Sequence, residues 1–312
     1  KLLLMALMAV MAVGLIACGT DKSDNESTKE EKTSVTITSL DSSKNEIELE
    51  VPYNPKRIAI LDLASLDIID ELGVGDRVVG MASTSIDYLE KYSNDSSIKN
   101  LGTIKEADLE AVMECEPDII FIGGRLSNSY DALSEIAPVV YLATDTNEGL
   151  VNSVSKNAKT IASIFGMEDK VNSLMSDFGA RIDAIKKISS GKTALVGMTT
   201  SGSFNLLGND GRCSLIGVEA GFNNLTAAGS TSTHGNESSF ETVVQQNPDY
   251  IFVMDRDSAI STAGAKTAKE IVENELVKTT DAYKNNHIIY LEHSNVWYTA
   301  EGGIQALDIM LT

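Results

Sequence analysis

"ADLEAVMECEPDIIFIGGR", residues 107–125, reads as a short helix, a Pro-Asp break and a buried strand closed by an arginine. The phrase returns without a gap as "SSFETVVQQNPDYIFVMDR" at 238–256. Glu110 lines up with Glu241, Val112 with Val243, Pro117-Asp118 with Pro248-Asp249, and Arg125 with Arg256, each at an offset of 131 residues. Helix–Pro-Asp–strand is a common α/β phrase, so part of this match is expected of any such fold. A glutamate and an arginine shared at its two ends point further, to two related lobes.

The same alternation continues on either side. "RIAIL" (57–61), "DIIFI" (118–122), "VVYLA" (139–143), "TALVGM" (193–198), "YIFVM" (250–254) and "HIIYL" (287–291) are short apolar runs of the kind that form buried parallel strands. Helical stretches such as "LASLDIIDELG" (63–73) and "EADLEAVMECE" (106–116) lie between them. The chain is therefore expected to be α/β, with parallel sheets flanked by helices. From about 147 to 190 strand signals nearly vanish. There Val171, Leu174, Met175, Phe178, Ile182 and Ile185 recur at three- and four-residue steps, and Gly166 divides the region in two. This predicts a long, rigid helical connector between an N-terminal lobe (35–146) and a C-terminal lobe (191–312). Ligands of open α/β sheets bind beyond the carboxyl ends of the strands. Arg125 and Arg256 both fall just past such an end, so both lobes can point an arginine into one cleft.

The chain opens "KLLLMALMAVMAVGLIACGT", a lysine followed by an apolar run that ends in Leu15-Ile16-Ala17-Cys18. That is the layout of an export signal (1–17). Its ending resembles the bacterial lipoprotein box, which implies cleavage before Cys18 and acylation of its sulfur. A membrane span is the other reading of the run, but Leu2 to Ala17 is only 16 residues, short for a bilayer. The next stretch, up to residue 34, is charged and hydroxyl-bearing with no aliphatic residue, which makes 18–34 a flexible tether. The two remaining cysteines, Cys115 and Cys213, fall in different halves and are expected to be unpaired and structural. The net charge of −20 becomes −21 without Lys1 and argues against nucleic acid or an anionic membrane surface as a partner.

"NPKRIAIL", "LGVGDRVVG", "LEAVMECEPDIIF", the connector and the "WYTAEGG" ending together resemble the solute-binding lipoproteins of ABC importers for ferric siderophores, haem and cobalamin. Within that class the chain is most similar to the petrobactin- and enterobactin-type catecholate binders. The resemblance implies three arginines on the catecholate oxygens, matched here by Arg125 in "GGRLS", Arg212 in "NDGRCS" and Arg256 in "MDRDS". It also implies a histidine and a tyrosine that complete the iron of a tetradentate ligand, matched by His234 in "THGNE" and Tyr298 in "VWYTAEGG". A glutamate on each lobe meets the permease in this family, and Glu110 and Glu241 stand in equivalent places. The implied function is extracytoplasmic capture of a ferric catecholate by a lipid-anchored monomer. It needs no resident cofactor and no catalysis.

The chemistry suits those residue types. Fe(III) is a hard ion that prefers oxygen donors and accepts imidazole. Guanidinium groups offer planar, multi-donor forks to oxyanions. Imidazole must be neutral to ligate, so binding is expected to weaken below about pH 6.5, the unperturbed histidine value. Each residue also has a plainer reading. Arg212 could pair with Asp210 and Arg256 with Asp255 or Asp257, while Tyr298 could be a rim aromatic. His287 and His293, the other two histidines, flank a strand and read as structural. A haem, cobalamin or hydroxamate receptor of the same fold is an alternative, and so is a secreted hydrolase using His234 with Ser230, Ser232 or Thr233. No Walker loop, GxGxxG, HExxH, CxxC or GxSxG motif appears in the sequence.

Overall fold

The computed structural model describes residues 32–312; the signal 1–17, Cys18 and the tether up to residue 31 lie outside the described residues. An antiparallel hairpin comes first, β1 (Ser34–Leu40) and β2 (Glu46–Pro52). Asp41 turns it, its carboxylate accepting from the Ser43 and Asn45 N–H groups at 2.8 Å. No strand is expected here from sequence, because charged residues alternate with the apolar ones in "EIELEVP" and no apolar run forms.

The first sheet holds β3 (Ile58–Ile60), β4 (Val78–Met81), β5 (Lys99–Asn100), β6 (Ile119–Ile122) and β7 (Val139–Tyr141), in the order β5-β4-β3-β6-β7 and parallel throughout. The second holds β8 (Thr193–Thr200), β9 (Ser203–Leu206), β10 (Asn223–Asn224), β11 (Asn236–Glu237), β12 (Tyr250–Asp255) and β13 (Ile288–Tyr290), in the order β11-β9-β8-β12-β13. Its β8, β12 and β13 are parallel, β10 pairs with the start of β8, β9 runs antiparallel to β8, and β11 antiparallel to β9. All six expected strands are present. Their side chains alternate between two cores: Ile119 and Phe121 of β6 face the central one, while Ile120 and Ile122 face a satellite behind the sheet. The β12 strand does the same with Met254 on one side and Ile251 and Val253 on the other. Burial on both faces is why these strands read as unbroken apolar runs.

Seven of the helices carry or brace the residues singled out above. They are α1 (Leu63–Leu72), α2 (Leu109–Glu114), α3 (Leu150–Phe165), α4 (Glu168–Ser189), α5 (Phe240–Gln246), α6 (Ser294–Thr299) and α7 (Ile304–Met310). The repeat holds down to its hydrogen bonds. Asp108 caps α2 through the Ala111 N–H, and Ser239, at the equivalent place, caps α5 through the Thr242 N–H. Asp118 accepts from the Lys56 and Arg57 N–H groups at 2.7 and 2.9 Å, at the entry to β3. Asp249 accepts from the Thr193 N–H and hydroxyl at 2.8 and 3.0 Å, at the entry to β8. Each Pro-Asp thus pins the central strand of its own sheet.

The connector is α3 and α4, with Gly166 between them at φ +68°, a left-handed turn that glycine takes without strain. Val171, Phe178 and Ile182 are buried along α4, and Leu174, Met175 and Ile185 pack beside them. Past the C-terminal sheet, α7 returns to pack against α1. Asp67 of α1, fully buried, accepts from the Gln305 and Ala306 N–H groups at 2.9 Å. Gly303 stands where a Cβ would strike that carboxyl group. One central core runs from Ile37 through both sheets and the connector to Leu311.

Candidate functional site

Tyr298 is the hub. It sits on α6, 5 % exposed, and three guanidinium groups surround its ring: Arg212 at 4.4 Å, Arg256 at 5.6 Å and Arg125 at 5.8 Å from the centroid. Arg125 lies in the turn after β6 and donates to the Tyr298 carbonyl at 3.2 Å. Arg256 opens the short helix after β12, and its Nε donates to the Tyr298 hydroxyl at 3.2 Å. The repeated phrase therefore brings one arginine from each lobe to the same tyrosine. Arg212 precedes the helix Ser214–Val218 and donates to the Thr233 carbonyl at 2.7 Å.

His234 stands beside them, its Nε2 3.4 Å from the Tyr298 hydroxyl. Its loop is tied down on several sides. Asp210 accepts from the Thr231 N–H, the Thr231 hydroxyl accepts from the Gly208 N–H, and Asn205 donates to the His234 carbonyl. Asp210 is therefore committed to Thr231, and the alternative in which it pairs with Arg212 does not hold. Arg256 does meet Asp257, at 3.3 Å, as the plainer reading allowed. His287 has a structural role: its ring stacks on Tyr250 at 4.2 Å and its Nδ1 meets the Asp249 carbonyl.

The electrostatics follow from this crowding. Burial lowers the Arg125 pKa, and the like charge of Arg212 lowers it further. Burial would raise the Tyr298 phenol, but the Arg256 hydrogen bond and the charges of Arg212, Arg256 and Arg125 outweigh it and hold the pKa below the usual value. Burial lowers the His234 pKa too, with help from Arg256, Arg212 and Lys105. The site therefore makes the Tyr298 phenol easier to deprotonate and the His234 imidazole harder to protonate, two groups close enough to share one hard metal ion. Among the described residues no cluster of three or more His, Cys, Asp or Glu side chains is placed to hold a metal. Any iron held here would have to bring most of its ligands with it.

A cavity of about 290 Å³ opens onto Arg125, Arg212 and Tyr298. Two carboxylates that the sequence reading missed, Asp62 and Glu301, also line it, and burial raises the pKa of both. Asp62 had a readable signal as the residue before a helix, where it accepts from the Ser65 N–H. Glu301 had none, since only the return of the chain toward α7 carries it there. A larger cavity of about 580 Å³ lies between α4, β13 and α7, but its walls are mostly apolar and hold none of these arginines. Glu110 and Glu241 stand apart from the cleft, exposed in the first turns of α2 and α5. Cys115 and Cys213 are buried free thiols.

A family model described as periplasmic binding protein matches residues 58–294. The chain belongs to this family. It is 36% identical to the petrobactin-binding protein YclQ of Bacillus subtilis over 321 aligned residues, covering 100% of this chain and 96% of that one. The crystal structure of YclQ superposes with a TM-score of 0.81 at 37% identity, covering 89% of this chain and 96% of the other. The periplasmic catecholate-siderophore-binding protein VctP of Vibrio cholerae gives a TM-score of 0.80 at 30% identity, covering 89% and 98%. The ferric-anguibactin-binding protein FatB of Vibrio anguillarum is 26% identical over 84% of this chain and 82% of its own.

Proposed function

We propose that this chain is an extracytoplasmic, lipid-anchored solute-binding protein that captures a ferric catecholate siderophore and passes it to an ABC permease. The observation that carries the proposal is a pair of guanidinium groups in a cleft with no carboxylate in contact. Among the described residues the arginine ion pairs are Arg181–Asp308 and Arg256–Asp257, so neither Arg125 nor Arg212 has a carboxylate in contact. Ferric catecholates are polyanions, and those two forks supply what they lack. Tyr298 and His234 would complete an iron that a tetradentate ligand leaves open. The names of YclQ, VctP and FatB, all siderophore binders, favour the same ligand class. Capture without catalysis suits a site in which His234 faces a phenol and Ser232 is turned to the Gly235 carbonyl. The signal and Cys18 would supply the anchor.

The only tryptophan, Trp297, adjoins Tyr298 and provides the readout. Its fluorescence should be quenched to saturation by ferric bis- and tris-catecholates, and less readily by ferric hydroxamate or haem. Alanine at Arg125, Arg212 or Arg256 should weaken catecholate binding about tenfold or more, since a charge-assisted hydrogen bond contributes about 1.5–3 kcal/mol. Preference for haem or hydroxamate, or three alanine variants that bind like the parent, would overturn the proposal.

A further inference from the structure

A cleft suited to a polyanion should not need carboxylates, yet Asp62 and Glu301 both line it. Asp62 is explained by its cap, accepting from the Ser65 N–H at 2.9 Å and the Ser65 hydroxyl at 2.8 Å. Glu301 has no such duty. It lies between α6 and α7, partly buried, near the Cys213 backbone N–H. The cations facing it are Arg212, the residue next to that N–H, and Arg125. Neither makes an ion pair with it, and the Nε–H of Arg212 is buried without a partner. Glu301 therefore acts on both guanidinium groups through space while leaving the Arg212 Nε–H open.

We propose that Glu301 is the counter-charge of the empty cleft, and that it takes up a proton from solvent when a polyanionic ligand settles on Arg212 and Arg125. The inference rests on the proposed ferric catecholate function. Burial raises the Glu301 pKa, and in the empty cleft the two guanidinium charges help to offset that rise. A ligand bearing several negative charges cancels that help and adds a like charge beside the carboxylate. Neutralising Glu301 then costs less than leaving a buried, unpaired anion. The other groups facing it are the Cys213 thiol, whose pKa burial and then Glu301 raise, and, across Arg125, Asp62. The balance is one solvent proton bound to a Glu301 oxygen, with no bond in the ligand made or broken.

The test uses a preformed hexadentate ferric tris-catecholate, whose iron needs no protein ligand. Binding heats are measured in buffers of different ionisation enthalpy, for the full chain and for Glu301→Gln. The parent should take up as much as one proton more per complex than the variant. Its affinity should gain on the variant as pH falls across the neutral range, by up to about tenfold per pH unit. Equal proton counts at every pH would overturn the inference while leaving the proposed function intact. Failure of both proteins to bind any ferric catecholate would remove the proposed function and this inference together. The parent alone gives a second readout that does not depend on the variant folding. Its infrared difference spectrum should gain a protonated-carboxyl band on binding, and a spectrum without one also counts against the idea.

Discussion

His234 and Tyr298 form a pair only because β12, α6 and the loop before β11 converge. Their contribution should depend on how many oxygens the ligand brings. A tetradentate bis-catecholate leaves two iron sites open, whereas a hexadentate tris-catecholate leaves none. His234→Ala combined with Tyr298→Phe should weaken bis-catecholate binding much more than tris-catecholate binding, and should shift the visible absorption of the bis-catecholate complex. Equal losses with an unchanged spectrum would mean that both side chains only line the cleft. The pH dependence expected from the sequence also moves. Only neutral imidazole ligates, and burial with Arg256, Arg212 and Lys105 lowers the His234 pKa. The part of bis-catecholate affinity that depends on His234 should therefore persist at pH 6.5, the ordinary imidazole value, and be lost only at lower pH. It is read as the affinity ratio of the parent to His234→Ala at each pH; a ratio already collapsing above pH 6.5 would contradict it.

At the scale of elements, the repeated phrase and the returning helix are held by aspartates of opposite character. Asp249 has a lowered pKa, chiefly through its hydrogen bond from the Thr193 N–H. Asp67, by contrast, is pushed up to about 6 by burial, although Tyr88, Gln305 and Ala306 all donate to it. A carboxyl whose folded pKa is raised binds more protons folded than unfolded, so its contribution to stability falls as pH rises between the two values. For Asp67 that window runs from about pH 4 to 6 and is worth on the order of 3 kcal/mol. Urea unfolding of the parent and of Asp67→Asn should show it. The parent's stability advantage should shrink as pH rises across the window and level off above it. A gap independent of pH would mean that Asp67 keeps an ordinary carboxyl pKa.

For the whole molecule, the equivalent places of Glu110 and Glu241 matter more than their immediate surroundings. Both are exposed at helix starts, one on each lobe, away from the arginine cleft. A plain helix-dipole role would act on the stability of each helix and contribute nothing to transport. As permease contacts, their joint reversal to lysine should impair iron uptake by cells and leave siderophore affinity in solution unchanged. Normal uptake with the double variant would remove them from that role. The central core, continuous from Ile37 to Leu311, joins both lobes, the connector and α7. The lobes are thus tied together by packing as well as by the chain.

The sequence by itself determined the two-lobe α/β plan, because strands buried on both faces must be apolar along their length and a helix buried on one side must repeat its pattern. It also placed Arg125 and Arg256 at the ends of a repeated phrase, where strand geometry aims them at a common cleft. The resemblance to siderophore binders supplied Arg212, His234 and Tyr298, which no local pattern would have joined. Tertiary structure alone decided the rest. The β1–β2 hairpin and the returning strand β9 are built from residues whose alternating or mixed composition gives no apolar run. The return of α7 to α1 depends on a buried carboxyl group that, in "LASLDIIDELG", reads as an ordinary polar position. Glu301 faces Arg212 across 89 positions of chain, a distance over which no sequence spacing carries a signal. Charges that act through space are set by where the backbone returns, and that return is a property of the packed core.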